Sequence, residues 1–168
     1  MDRNHIVSIR KMQKDDIGIL YDIALRSFQQ DYETYGTYPP LINLERKKFL
    51  PPRIFGKTIL VNDTIIGGLF VFTFCRVGII GAIFIDTDEQ HKGYGKQVML
   101  MIEKQYSKVK KWNLETPAEN FLLHRFYESL GYVKVGEKTD KRSGIIGYVY
   151  EKIITNKSYE SENAEHRI

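Results

Sequence analysis

The sequence predicts an α+β fold: a mixed, mostly antiparallel central sheet flanked by helices. Three observations carry that expectation. Apolar, strand-like runs at 58–61, 65–75 and 77–85 follow one another with no helix between them, which excludes a doubly wound parallel arrangement. Ile17, Leu20, Tyr21, Ala24, Leu25 and Phe28 recur at the spacing of one helix face. The chain has 168 residues, 42% hydrophobic and 27% charged, the size and composition of one ordinary globular domain.

Taken in order, residues 8–12 form a short strand. Asp15 or Asp16 then caps a helix that ends before Gly36. Residues 31–40, DYETYGTYPP, make a tyrosine-rich turn closed by Pro39-Pro40. A second short helix is expected over 41–49, stopped by Pro51-Pro52. Strands 58–61 and 65–75 form a hairpin about Asn62-Asp63. The run 77–85 is apolar almost throughout and is expected to be buried on both faces. A polar turn leads into a helix over 95–108 with Val98, Met101, Ile102, Gln105 and Tyr106 inside. A strand at 112–115 and a helix at 120–129 follow, with Gly131 as the C-cap glycine. Strands 133–138 and 148–154 flank a turn at Ser143-Gly144. The domain is read as residues 1–154, and the tail 155–168 as disordered.

Net charge is +4, too mild to imply a partner. A nucleic-acid binder should carry a broad basic stripe with exposed aromatics, and Lys108, Lys110 and Lys111 are only a small cluster. No nucleic-acid partner is expected. One cysteine, Cys75, excludes a disulfide framework and a cysteine-rich metal site, and no metal is expected. On an apolar run, Cys75 reads as core. The longest apolar stretch, 79–85, is too short to span a bilayer. Residues 1–20 lack the apolar segment of a signal peptide. A cytoplasmic protein that does not engage membranes is the expectation.

Two segments carry chemistry. Gln90-His91-Lys92-Gly93-Tyr94-Gly95-Lys96 lies between a strand and a helix start. Such a turn can aim backbone N–H groups at one phosphate or pyrophosphate, helped by the helix dipole and two lysines. It can equally be a tight turn. It matches neither a dinucleotide fingerprint nor a P-loop. The second segment pairs Asn120 with Tyr127, two helical turns apart on one face. They can hold an amide-bearing ligand and donate a proton, or serve as helix cap and packing.

In this order, the two segments resemble the GNAT superfamily of acetyl-CoA-dependent N-acetyltransferases. Gln90, Gly93 and Gly95 match its Gln/Arg-x-x-Gly-x-Gly/Ala pattern, and Asn120, Tyr127, Gly131 and Tyr132 match its later one. The resemblance implies a sheet splayed at an acyl-CoA site and acetyl-CoA as cosubstrate. It implies that Ile83, Phe84 and Ile85 pair with the pantetheine arm. Gln90, His91, Lys92, Gly93, Tyr94, Gly95 and Lys96 would surround the pyrophosphate. Asn120 would contact pantetheine, and Tyr127 would protonate the departing thiolate. His91 stands where the family often has glycine, so a positive φ there would add strain.

The reaction implied is direct attack of an amine on the thioester, with no covalent intermediate. Its general base is open among Glu115, ranked first, Asp86, Glu33, Asp31 and a water chain. His124, one turn before Tyr127, is a further candidate neighbour of the site. Asp31, Tyr32, Glu33, Tyr35 and Tyr38 are candidates to receive a cationic amine, on a small molecule or a peptide. The protein would be a monomer or homodimer. The rival reading is a non-catalytic acyl-CoA-binding module on the same fold.

Overall fold

The computed structural model describes residues 5–36, 55–141 and 144–155. Tyr38, the prolines at 39–40 and 51–52, the helix expected over 41–49, Ser143 and the tail beyond Thr155 lie outside the described residues. The elements are β1 (Val7–Lys11), α1 (Ile17–Tyr35), β2 (Gly56–Val61), β3 (Thr64–Phe74), β4 (Val77–Ile85), α2 (Tyr94–Gln105), β5 (Lys111–Pro117), α3 (Phe121–Ser129), β6 (Val133–Thr139) and β7 (Ile146–Ile153). The seven strands form one sheet in the order β1-β2-β3-β4-β5-β7-β6. Every pairing is antiparallel except β4 with β5.

Local chemistry sets the boundaries. Asn62 and Asp63 both take positive φ, 47° and 65°, as a two-residue hairpin turn requires. Gly36 at φ 74° ends α1, its N–H bonding back to the Tyr32 carbonyl at 2.7 Å. A 3-10 turn at Lys14–Asp16 starts the helix. There Asp16 is not the simple side-chain cap expected. Its carboxylate instead accepts two bonds from Arg10, at 2.6 and 2.8 Å, one from Gln13 N–H at 2.8 Å and one from the Thr58 hydroxyl at 2.7 Å. One buried carboxylate thus ties β1, β2 and the start of α1 together.

The sheet has two covered faces. On β3, Leu69 and Val71 join the cluster under α2 and α3, while Phe70 joins the one under α1. This is the two-residue alternation of a strand. On β4, Ile80 faces the α2–α3 side, yet Ala82 and Phe84 face α1. The change of face occurs at Gly81. Phe70 pairs with Ala82 and Val71 with Ile80, so Gly81 is the extra residue of a β-bulge. A Cβ at Gly81 would stand 2.8 Å from the Phe72 ring.

Three expectations are corrected. β4 is not buried on both faces along its length: Ile79, before the bulge, is 46% exposed. The inner face of α2 uses Tyr94, Val98, Met99, Ile102 and Glu103, with Gln105 exposed. Glu103 can enter because Lys152 pairs with it at 2.6 Å and the Tyr132 hydroxyl donates to it at 3.0 Å. Cys75 is exposed at the β3–β4 turn, at φ 54°, and not in the core.

The four bonds on Asp16, Arg10 foremost, hold its carboxyl down at about 2. A carboxylate with a depressed folded pKa stabilises the fold above its unfolded value and loses that contribution as pH falls. Asp16→Asn should therefore cost roughly 2 kcal/mol at neutral pH. The deficit should vanish between about pH 4 and pH 2, as measured by denaturant unfolding at several pH values. A deficit independent of pH would refute the ionic account.

Candidate active site

β4 and β5 hydrogen-bond only from Val77 opposite Lys111 to Ile80 opposite Leu114. Beyond that point each strand follows its other neighbour. β4 stays on β3 as far as Ile85 opposite Gly67, and β5 stays on β7 as far as Pro117 opposite Gly147. Parallel strands that part in mid-sheet leave backbone groups turned toward the gap. The gap belongs to a cleft of about 1110 Å³. Gly81, Ala82, Ile83, Phe84 and Ile85 line one wall, and Glu115, Thr116 and Pro117 another.

At one end of the cleft lies the loop 90–96. His91 has φ 60° and Gly93 φ 82°. A histidine therefore does occupy a left-handed position there, at some cost in strain. The first hydrogen bond of α2 runs from Gln97 N–H to the Gly93 carbonyl at 3.2 Å. The N–H groups from Gly93 to Lys96 stand ahead of it and are not used by the helix. No acidic residue sits in the first turn of α2. Unspent N–H groups, a positive dipole end and Lys96 form an anion cradle that fits a pyrophosphate. Gly95 keeps the approach open: a Cβ there would meet Phe126 at 3.3 Å. Gln90 braces the loop from behind, donating to the Ile85 carbonyl at 3.0 Å and to Ser27 Oγ at 3.4 Å.

At the other end stands α3. Asn120 caps it, its Oδ1 accepting from Leu123 N–H at 3.1 Å. Asn120 and Asp31 line the same cleft, and the Asn120 side chain favours the ionised form of the Asp31 carboxyl. Tyr127 is buried among Phe126, Tyr132 and Tyr150, with ring centroids 5.0, 5.8 and 6.4 Å away. Two of these tyrosines have committed hydroxyls, Tyr132 donating to Glu103 at 3.0 Å and Tyr150 to Glu128 at 3.1 Å. Tyr127 instead lines the cleft. Burial, and then the charge of Asp31, push its phenol well above the ordinary tyrosine range. The phenol is therefore held in its protonated form.

The cleft is lined by Asp31, Tyr35, Ile83, Phe84, Ile85, Gln90, His91, Gly93, Tyr94, Gly95, Lys96, Glu115, Asn120 and Tyr127. Lys92, Tyr32 and Glu33 are not among its lining residues. Lys92 pairs with Glu89 at 3.0 Å, and Glu33 accepts from Gln29 at 3.0 Å. Glu115 sits at the rim, bound to Lys138 at 2.8 Å. Asp86 is engaged by Arg26 at 2.6 Å. His124 turns away from the cleft, its Nε2 2.9 Å from the Pro117 carbonyl and its ring stacked on Tyr148. Sequence reasoning missed Phe70 and Phe72, which also line the cleft. Their signal was the even-numbered phase of β3, readable only once one face of that strand is known to border a gap.

Among the described residues no helix is long and apolar enough to cross a membrane. No curated protein sequence matches the chain. Solved structures share its fold. The PaiA N-acetyltransferase of Thermoplasma acidophilum, in complex with coenzyme A, is 18% identical over 89% of this chain and 99% of its own, with a TM-score of 0.72. The ribosomal-protein-S18-alanine N-acetyltransferase of Escherichia coli is 18% identical over 89% and 95%, at 0.70. Ard1 of Thermoplasma volcanium is 18% identical over 89% and 99%, also at 0.70. The sequence pattern of the acetyltransferase (GNAT) family matches residues 18–132, more than half of the chain. The chain belongs to the acetyltransferase (GNAT) family.

Proposed function

We propose that this protein is an N-acetyltransferase that moves an acetyl group from acetyl-CoA to a primary amine of a small molecule or peptide. One observation carries the reading: a protonated, otherwise uncommitted phenol, Tyr127, lines the same cleft as an unspent helix N-terminus and an unpaired strand edge. A thioester activates its acetyl carbon toward direct attack by an amine, which is the chemistry acetyl-CoA supplies when bound. The residues then divide the work. N–H groups from Gly93 to Lys96 hold the pyrophosphate. The free edge at Ile83, Phe84 and Ile85 pairs with the amide-bearing arm. Tyr127 gives its hydroxyl proton to the sulfur, and burial of its ring keeps water from competing. The coenzyme A complex of a relative with the same fold supports this assignment.

Two variants test it. Gly95→Val sets side-chain bulk against Phe126 and across the cradle, and should weaken CoA binding at least tenfold by calorimetry. Gly136→Ala, on β6 with open space around it, should leave binding unchanged. Equal affinity in both variants would place the anion elsewhere. Tyr127→Phe keeps the ring and its packing but removes the proton. Thiol release from acetyl-CoA over a panel of amines should fall roughly 10–100-fold in kcat, with CoA affinity nearly unchanged. Tyr127→Phe at the wild-type rate, with chemistry limiting, would remove Tyr127 from the reaction. CoA binding with no thiol release for any amine would leave a non-catalytic binding module.

A further inference from the structure

Asp31 is set unlike Glu115, Glu89 and Asp86. Glu115 is tied to Lys138, Glu89 to Lys92 and Asp86 to Arg26. Asp31 has no ion pair among the described residues, and the group that favours its charged form is neutral, the side chain of Asn120. Asn120 Oδ1 accepts from Leu123 N–H, which leaves the amide NH₂ as the group able to favour the Asp31 carboxylate. Burial raises the Asp31 carboxyl to about 6, and the Asn120 amide only partly opposes that rise. Its charge is felt in turn by Tyr127. Burial raises both groups, so Tyr127 stays protonated while Asp31 changes its protonation state close to neutrality.

The setting of Asp31 points to what it receives. α1 turns Ser27, Asp31, Thr34 and Tyr35 toward the cleft. Phe28, three residues before Asp31, and Tyr35, four after, share its helix face. Phe28 packs on Phe84 with centroids 6.0 Å apart, and Phe70 and Phe72 continue the aromatic wall. The other ionisable groups on the cleft come from every surrounding element. Tyr35 lies on α1, Tyr127 and Arg125 on α3, Glu115 on β5, Lys138 and Asp140 beside the β6–β7 turn, and Glu89, His91, Tyr94 and Lys96 before and at the start of α2.

We propose that Asp31 receives the acceptor's ammonium group and takes its proton, that Asn120 positions Asp31 for this, and that the acceptor is a primary amine with an apolar body. The proposal rests on the N-acetyltransferase reading. An ammonium N–H proton passes to an Asp31 carboxylate oxygen, freeing the nitrogen lone pair. That pair forms the C–N bond to the acetyl carbon as the C–S bond breaks, and Tyr127 gives a proton to the sulfur. The second nitrogen proton, lost as the amide forms, makes good the one Tyr127 gave. The proton on Asp31 leaves to solvent, so ammonium and thioester yield amide, thiol and one proton.

The test uses Asp31→Asn, which keeps shape and hydrogen bonding. A carboxyl whose folded pKa is raised weakens the fold once pH exceeds its unfolded value. Asp31→Asn should therefore raise Tm at pH 7.5, with the gain shrinking toward pH 4, and leave CoA affinity within about twofold. With phenethylamine as acceptor, kcat/KM should fall about 100-fold or more. The wild-type limb that rises with pH near 6 should vanish. Asn120→Ala should move that limb to higher pH, because the amide it removes favours the ionised form of Asp31. A lowered Tm in Asp31→Asn with an unchanged pH limb would make Asp31 a structural group and overturn the proposal. Spermidine preferred over phenethylamine would overturn the acceptor class. Wild-type protein that binds CoA but releases no thiol with any amine sinks the transferase reading, and this proposal with it. An active wild type with an equally active Asp31→Asn sinks this proposal alone.

Discussion

Gly81 is one residue more than the facing strand can match, and the cleft follows from how the sheet absorbs it. Up to Ile80, β4 serves two neighbours, β3 and β5. At Gly81 the strand bulges, its side chains exchange faces, and only the pairing with β3 survives. A bulge increases local twist and bends the strand, which is enough to carry β4 away from the short parallel pairing with β5. Phe84 then swings onto the α1 face and braces it. The gap opens at the same level on the other side, where β5 keeps to β7. One backbone irregularity therefore sets both the position of the cleft and the free strand edge inside it.

The cleft also gathers groups that a stability-driven design would avoid. His91 is held at positive φ, and Asp31 is a partly buried carboxylate with no ion pair among the described residues. Each disfavours the fold a little. Their cost is carried by structure elsewhere, notably the four-bond carboxylate of Asp16 and the buried Lys152–Glu103–Tyr132 group. Concentration of unfavourable local choices at one place, in a chain that is otherwise consistent, marks a functional site.

Much of this can be read from local chemistry. The Asn62-Asp63 turn, the glycine stop at Gly36 and the bounds of Val77–Ile85 depend only on neighbouring residues, and the sequence reading places them as the structure does. What depends on distant partners is hidden. Glu103 looks like a surface residue of α2 until Lys152 arrives from β7. The uninterrupted apolar run of β4 conceals the change of face at Gly81, because glycine in such a run has no side chain to report its side. Cys75 continues that apolar pattern, but the hairpin turns there. At the site, the loop 90–96 and the Asn120–Tyr127 spacing are visible as motifs. The link from Asp31 to Asn120 is not, since nothing in either segment signals the other. Glu115 ranked first as a base for its position at a strand end, and its lysine partner belongs to another strand.

The central claim is that the opening between β4 and β5, together with the start of α2, is where acetyl-CoA binds. Hydrogen–deuterium exchange with and without acetyl-CoA reads it at the level of the backbone. The account predicts slowed exchange at the gap-facing, alternate amides within residues 82–85 and at residues 93–96, where strand edge and helix start lack partners, and little change along β1 and β6. Protection on β6 or β1 with none at those two segments would contradict it.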